Sequence, residues 1–429
     1  MKQVISKVRS KIRDLTQTAF FKDSFWMLIT RALSMVIQVA YFIILARYLG
    51  SEYYGIFEGS KAIWAIIFPF VGMGASDLLV QDVSRENRVF SQRWGDALSL
   101  VLLSAGVVAL AIFPVVAFFF SSVPPLFIFL TLVADLVGLK LCGFSERAFI
   151  ASHRIKEAAQ YGMIYTVSKL VGVMFLPIIP GDDRLMIWGF VYCLSSLVPA
   201  FILLYLVHRK VGKPIFRFNF LDLNKLSQGF FFSLSESASS VNAQMDRAML
   251  VGLSSPVAAG IYSAGYRFID MGYLPIIAVQ GASYPRFFKA GEGGLRGTLT
   301  LAKKLLLPGI LYGLATIIIL VLFSPFVSQI LGPEFEQSSL VLVWLAPVHL
   351  LFILQFLAAD SLTGAGYQRA RSFIQVSAAV INISLNFYLI PIYSWQGAIW
   401  ATLFSEVFKS VLLWMIVWFS YQKERQAQT

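Results

Sequence analysis

The residues of this chain that could do chemistry are polar and ionisable side chains set inside long apolar runs. A charge turned toward lipid is costly, so such a residue faces a cavity, a partner or a ligand. The densest set lies between residues 230 and 253: Ser233, Ser235, Glu236, Ser237, Ser239, Ser240, Asn242, Gln244, Asp246 and Arg247. Ser235, Ser239, Asn242 and Asp246 follow helical spacing and share one face. Two readings fit that stripe: a water-lined path, or close helix packing in which the serines bond their own backbone. A second polar face is made by Arg31, Ser34, Gln38 and Tyr41, at i, i+3, i+7 and i+10.

Other buried charges divide by whether a neutralising neighbour stands one turn away. Glu58 with Lys61, Arg267 with Asp270, and Glu406 with Lys409 are spaced i, i+3 and read as self-neutralised pairs. Arg31, Lys140, Lys169, Asp135 and Glu236 have no such neighbour and need partners from other helices, water or a ligand. Lys61 and Arg247 stand near span ends, where long side chains can snorkel. A pyrophosphate ligand would use the Arg and Lys residues, through charge-assisted and forked bonds, whereas a cation-coupled exporter would use the carboxylates. Both sets are present. Enzyme signatures are not: there is no HExxH or CxxC, and His153, His208 and His349 lie far apart. The run GEGGLRG at 291–297 lacks the ending of a phosphate loop and reads as a connection. Cys142 and Cys193 sit in apolar runs as ordinary buried thiols.

The elements that must position these residues are membrane spans. The chain is 58% hydrophobic and 14% charged, far from the balance of a soluble domain. Apolar runs of about 20 residues, each able to cross a bilayer core, recur to the C-terminus. They place spans near 24–48, 56–80, 96–120, 125–147, 158–179, 185–208, 227–252, 257–282, 303–327, 338–362, 371–392 and 396–420. The expected fold is therefore an all-α polytopic membrane protein of twelve transmembrane helices; barrel strands would alternate polar and apolar residues.

The net charge of +12 is a topology signal rather than a mark of nucleic-acid binding, because the cations crowd alternate loops. One parity holds 26 Lys and Arg residues and the other only Arg47 and Arg184, which places both termini in the cytoplasm. The arm 1–23 carries six cations and no cleavage site closes the run after it. Its Val4, Ile5, Val8, Ile12 and Leu15 fit either a helix along an anionic surface or a basic tail. A long basic loop at 209–226 halves the chain into lobes of six helices, 24–208 and 227–420, with a cytoplasmic tail at 421–429. A shift of 205 residues lays LARYLGSEYYGIF (45–57) over LVGLSSPVAAGIY (250–262), with Gly55 on Gly260. That is a parallel repeat, and in transporters such repeats put the substrate path between the halves near the midplane.

Five segments carry a family resemblance: LARYLGSEYYGIF (45–57), DRAMLVGLSSPVAAGIYSAGYRF (246–268), LGPEF (331–335), LTGAGYQR (362–369) and NFYLIPIYSWQGAIWATLFSE (386–406). Together they resemble the Wzx-type oligosaccharide flippases of the multidrug/oligosaccharidyl-lipid/polysaccharide exporter superfamily. The resemblance implies two six-helix lobes alternating between inward and outward opening, and an undecaprenyl-diphosphate-linked oligosaccharide carried to the periplasmic face of the bacterial inner membrane. In the related lipid II flippases, arginines of the first and eighth helices line the cavity, and Arg31 and Arg267 stand at similar places. The implied head-group set is Arg31, Arg267, Lys169, Lys140, Gln38, Ser239 and Asn242. Asp135, Glu236 and Asp270 are the candidates for a coupling Na+ or H+, and no other cofactor is expected. Membrane lipids and the polysaccharide polymerase machinery are the implied partners, and the chain is expected to work as a monomer without enzymatic activity. The alternatives are a cation-coupled drug or metabolite exporter of the same superfamily, and a membrane-embedded polymerase or glycosyltransferase.

Overall fold

The computed structural model describes residues 2–85, 89–216 and 223–427, and every regular element among them is helical. Hydrocarbon offers the backbone no hydrogen-bond partner, and a helix satisfies its own N–H and C=O groups within one segment. The α-helices are α1 (Lys2–Ile67), α2 (Ala75–Arg85), α3 (Phe90–Phe119), α4 (Pro125–Val133), α5 (Lys140–Ala151), α6 (Ile155–Phe175), α7 (Arg184–Lys210) and α8 (Leu223–Leu253). They continue with α9 (Pro256–Gly291), α10 (Gly294–Phe323), α11 (Phe326–Leu331), α12 (Ser338–Leu345), α13 (Val348–Gly364) and α14 (Gln368–Ala427).

Among the described residues, eight stretches are long and apolar enough to cross a bilayer. Two of them, Ile29–Phe70 and Gln368–Gln426, are 42 and 59 residues long, and each contains one residue outside helical geometry. These are Gly50, at φ 72°, and Ser394, at φ 55°. The first is a glycine because a left-handed φ costs a side chain dearly. Each double-length stretch supplies two spans; α8 and α9, too polar to count among the eight, supply the remaining two of twelve.

The second span starts at residue 51 rather than 56 and is interrupted. After a 3-10 turn at Phe68–Phe70, Gly72, Met73 and Gly74 all take positive φ before α2 begins. Pro69 has no N–H to continue the helix, and the glycines tolerate the reversal. Backbone groups freed by the break find side chains: Lys140 Nζ donates to the Phe68 carbonyl (3.3 Å), Ser233 Oγ to that of Pro69 (2.7 Å), and the Gly72 N–H donates to Ser104 Oγ (2.7 Å). The fourth span carries a π-helical turn, Ala134–Leu139, between α4 and α5. Such a turn changes the direction of the side chains in it, here including Asp135.

By compactness the chain forms two units: Met1–Tyr48 with Trp64–Ser237, and Leu49–Ile63 with Ala238–Thr429. This division by packing does not follow the lobes drawn from the basic loop, since it cuts α1 and α8. In the first unit, Trp94 stacks on Phe144 with ring centroids 4.4 Å apart. In the second, Leu357, Phe287 and Ile353 centre a core between α9, α10 and α13. There too the glycines aligned by the repeat meet: a Cβ on Gly55 would strike the Pro256 carbonyl, and one on Gly260 the carbonyl of Ser51. α14 folds back on itself at Ser394. Gly397 lies against the Leu389 carbonyl, and Asn382 Nδ2 donates to Ser405 Oγ across the fold at 3.0 Å.

The backbone of residues 2–23 is helical and runs into the first span without a break. The apolar face expected on that arm lies outside the described side chains, as do residues 217–222 of the basic loop. Topology is read directly by single-cysteine labelling: Ser122→Cys and Ser254→Cys, both at exposed positions, should react with an impermeant reagent added outside the cell, and Gly212→Cys should not. The reverse pattern would invert the orientation.

Candidate functional site

In the second unit the close approach of the 51–67 limb of α1 to α8 and α9 brings a group of charges together. Gly59 completes it, since a Cβ there would meet the Val251 side chain. Glu58 is only 3% exposed. Arg267 Nη2 donates to both of its oxygens, at 2.9 and 3.1 Å, while Lys61 Nζ stands at 3.4 Å and Arg247 at 4.0 Å. Arg247, 4% exposed, also reaches Asp270 at 3.6 Å and donates to Gln244 Oε1 at 2.7 Å, with its guanidinium 4.8 Å over the Tyr266 ring. Buried charges of this kind hold one another in place, and removing one strands its partner.

Two sequence expectations are corrected here. Arg267 and Asp270 do not form the local i, i+3 pair: Arg267 turns to Glu58 on another helix, and Asp270 pairs with Arg247. Arg247 does not snorkel, because α1 and α9 enclose it with carboxylates inside the protein. The Glu58–Lys61 and Glu406–Lys409 pairs form as read, the latter at 2.8 Å.

From the neighbouring Asp246 a buried polar chain runs through the same unit. The Tyr262 hydroxyl donates to Asp246 and lies 3.4 Å from Thr402 Oγ1. Ser405 Oγ donates to the Thr402 carbonyl and accepts from Asn382, whose Oδ1 accepts from Asn386 at 3.0 Å. Asn386 Oδ1 is buried with no hydrogen-bond partner among the described residues. Sequence reasoning missed Asn382, Asn386 and Thr402. Two asparagines at i, i+4 inside an apolar run were the available signal.

In the first unit, Lys169 and Asp135 are joined through one tyrosine. Lys169, 5% exposed, donates to the Tyr192 carbonyl (3.0 Å) and to Ser196 Oγ (2.5 Å) and lies over the Tyr192 ring; the Tyr192 hydroxyl donates to Asp135 at 2.6 Å. Lys140 is half-buried and engaged at the break in the second span, and the field of the exposed Glu236 reaches it. Arg31 and Gln38 are exposed on α1. Arg31 makes no hydrogen bond or ion pair among the described residues, and Glu146 of α5 is the carboxylate whose field it shares.

Along α8 the stripe passes from exposed to enclosed: Ser239 is exposed, Asn242 half-buried and Asp246 buried, while the Ser235 side chain lies outside the described set. Ser239→Cys should therefore react with water-soluble thiol reagents. Ser233→Cys, buried against the Pro69 carbonyl, should stay unmodified. Equal labelling of both would mean a loosened fold. No group of three or more His, Cys, Asp and Glu residues fit to hold a metal occurs among the described residues.

Known proteins bear on these arrangements. The chain is similar to an uncharacterised membrane protein of Methanocaldococcus jannaschii, 23% identical over 410 residues, covering 90% of this chain and 95% of that one. Among solved structures it resembles the lipid II flippase MurJ in an inward closed conformation, with TM-score 0.73 at 14% identity, covering 91% of this chain and 87% of that one. An inward-facing multidrug resistance MATE family transporter of the MOP superfamily gives TM-score 0.68 at 14% identity, covering 91% and 96%. A MOP superfamily transporter from Pyrococcus furiosus gives 0.61 at 14%, covering 92% and 94%. These likenesses show a twelve-helix, two-lobe fold. The model of the polysaccharide biosynthesis protein family matches residues 20–290, more than half of the chain. This multi-pass membrane protein thus belongs to the polysaccharide biosynthesis protein family, the Wzx-like transporters of the MOP superfamily.

Proposed function

We propose that this transporter flips an undecaprenyl-diphosphate-linked oligosaccharide from the cytoplasmic to the periplasmic face of a bacterial inner membrane by alternating access. The observation that carries the reading is Arg31, an exposed guanidinium on a membrane span with no ion pair among the described residues. Such a group is costly on a membrane span unless an anion completes it, and a diphosphate matches its forked donors. Family membership and the likeness to a lipid II flippase support the same class of substrate.

The head-group set divides by availability. Arg31, Gln38, Ser239 and Asn242 are open or partly open, and Lys140 is half-buried; these receive the diphosphate and sugars. Lys169 and Arg267 complete the candidate set, each already engaged within its own unit, with Tyr192 and with Glu58. Asp135, Glu236 and Asp270 stay the candidates for cation coupling, and the buried Asp246 joins them. The lobes 24–208 and 227–420 are the moving bodies, both termini and the loop 209–226 are cytoplasmic, and the chain works as a monomer that hands its cargo to a polymerase.

The buried carboxylates Asp135 and Asp246 favour a second reading, a cation-coupled exporter of small molecules. Binding separates the two. Purified protein in lipid nanodiscs should bind a polyprenyl diphosphate in preference to the same polyprenol, and the preference should vanish in Arg31→Ala. Equal binding of both lipids by the wild type would favour the exporter.

A further inference from the structure

His349 opens α13 and is completely enclosed, at 0% exposure. Its Nδ1 lies 3.1 Å from the carbonyl oxygen of Ala346, at the break between α12 and α13, and its Nε2 lies 2.9 Å from the carbonyl oxygen of Ile269 in α9. Both neighbours can only accept. A neutral imidazole owns one N–H and one lone pair, so in that state one nitrogen would present its lone pair to a carbonyl oxygen. Only the doubly protonated ring donates to both. The ring is also held tightly in place: a Cβ on Gly272 would strike it, and the Tyr273 ring lies over it with centroids 4.7 Å apart.

The groups that face this ring are few. From α9 come Asp270 and Tyr273, and Asp270 is the charged group whose field reaches the imidazole. From α10 comes Tyr312, whose hydroxyl donates to the Gly272 carbonyl at 3.0 Å. Glu406 of α14 is bound by Lys409 and Gln355, and its field reaches Tyr273. α12 contributes no titratable side chain.

We propose that His349 is a proton-binding site, and that its proton is the coupling ion of the transport cycle. With the proton bound, the ring ties α9 to the α12–α13 break through two donated bonds. Without it, one of the two bonds is lost and that joint loosens. The bound proton also adds a cation acting on Asp270, which Arg247 already holds at 3.6 Å, so loading His349 competes with Arg247 for that carboxylate. The proton site stands on this geometry alone, and its coupling role rests on the transport reading above.

His153, His208 and His349 are the chain's three histidines, so His153→Gln with His208→Gln leaves one imidazole to observe. The full-length double variant, labelled with nitrogen-15 in histidine and held without substrate in lipid nanodiscs, is followed by NMR between about pH 5 and 9. The expected result is a ring with both nitrogens protonated at the acid end, converting to one tautomer within the range. A single N–H unchanged across the range overturns the site. In proteoliposomes, a proton gradient should then accelerate polyprenyl-diphosphate flipping by wild type and fail to accelerate it in His349→Asn, with binding of the lipid unchanged. Retained acceleration in that variant overturns the coupling role. If wild type flips no polyprenyl diphosphate while His349 titrates, the lipid substrate is wrong and the proton site is supported.

Discussion

Arg31→Ala should abolish polymer export while leaving the protein inserted and abundant. The side chain is exposed and bonds to nothing among the described residues, so its removal breaks no hydrogen bond or ion pair among them and opens no cavity. What is lost is the forked donor for the diphosphate. A charge-assisted, bidentate contact is among the strong ones, and its loss should weaken lipid-diphosphate binding on the order of tenfold or more. Arg31→Lys keeps the charge but not the fork and should fall between the two. Surface polysaccharide is scored in a strain lacking its own flippase, with membrane abundance read by blot. Full export by Arg31→Ala at normal abundance would remove the cationic head-group mechanism.

Glu58→Ala should fail in the opposite way, by loss of the folded protein. Glu58 binds Arg267 through both oxygens and also balances Lys61 and Arg247, all but closed off from solvent. Breaking a buried ion pair from one side costs roughly 3–5 kcal/mol, because the stranded charge keeps its desolvation penalty. The loss should appear as lower membrane abundance and a lower midpoint of denaturation in detergent. Arg267→Ala should do the same, and the double variant should cost clearly less than both singles added. If Arg267→Ala instead stays abundant and loses export alone, as expected for Arg31→Ala, then Arg267 acts on the substrate and not on the fold.

That contrast marks where sequence reasoning stops. The intramembrane charges were legible because each is expensive in an apolar run, and the stripe on α8 because helical spacing is local. Glu58–Lys61 and Glu406–Lys409 were legible for the same reason. Arg267 was misassigned because its partner lies 209 residues away, and only the approach of glycine-bearing backbones brings Glu58 within reach. Asp270 lost the local pairing to the more deeply buried Arg247, which sequence alone placed at a span end. The break in the second span was written in Pro69, Gly72 and Gly74, but the apolar residues between them read as an unbroken run. Lys169 and Asp135 were each flagged, and the tyrosine that joins them was not, because a tyrosine in a span carries no signal until its neighbours are known.

The fold in α14 bears on how the protein is made. Only Ser394 departs from helical geometry between the two limbs, and its Oγ lies 2.8 Å from Ser254 Oγ. During biosynthesis a helical hairpin usually has to carry a polar connecting loop through the hydrocarbon. Here the connection is about one residue, so nearly all of the backbone that crosses is already hydrogen-bonded within a helix. The Asn382–Ser405 bond pairs two polar side chains between the limbs before any other helix need arrive. The two limbs of α14 can therefore leave the translocon together, as one preassembled unit.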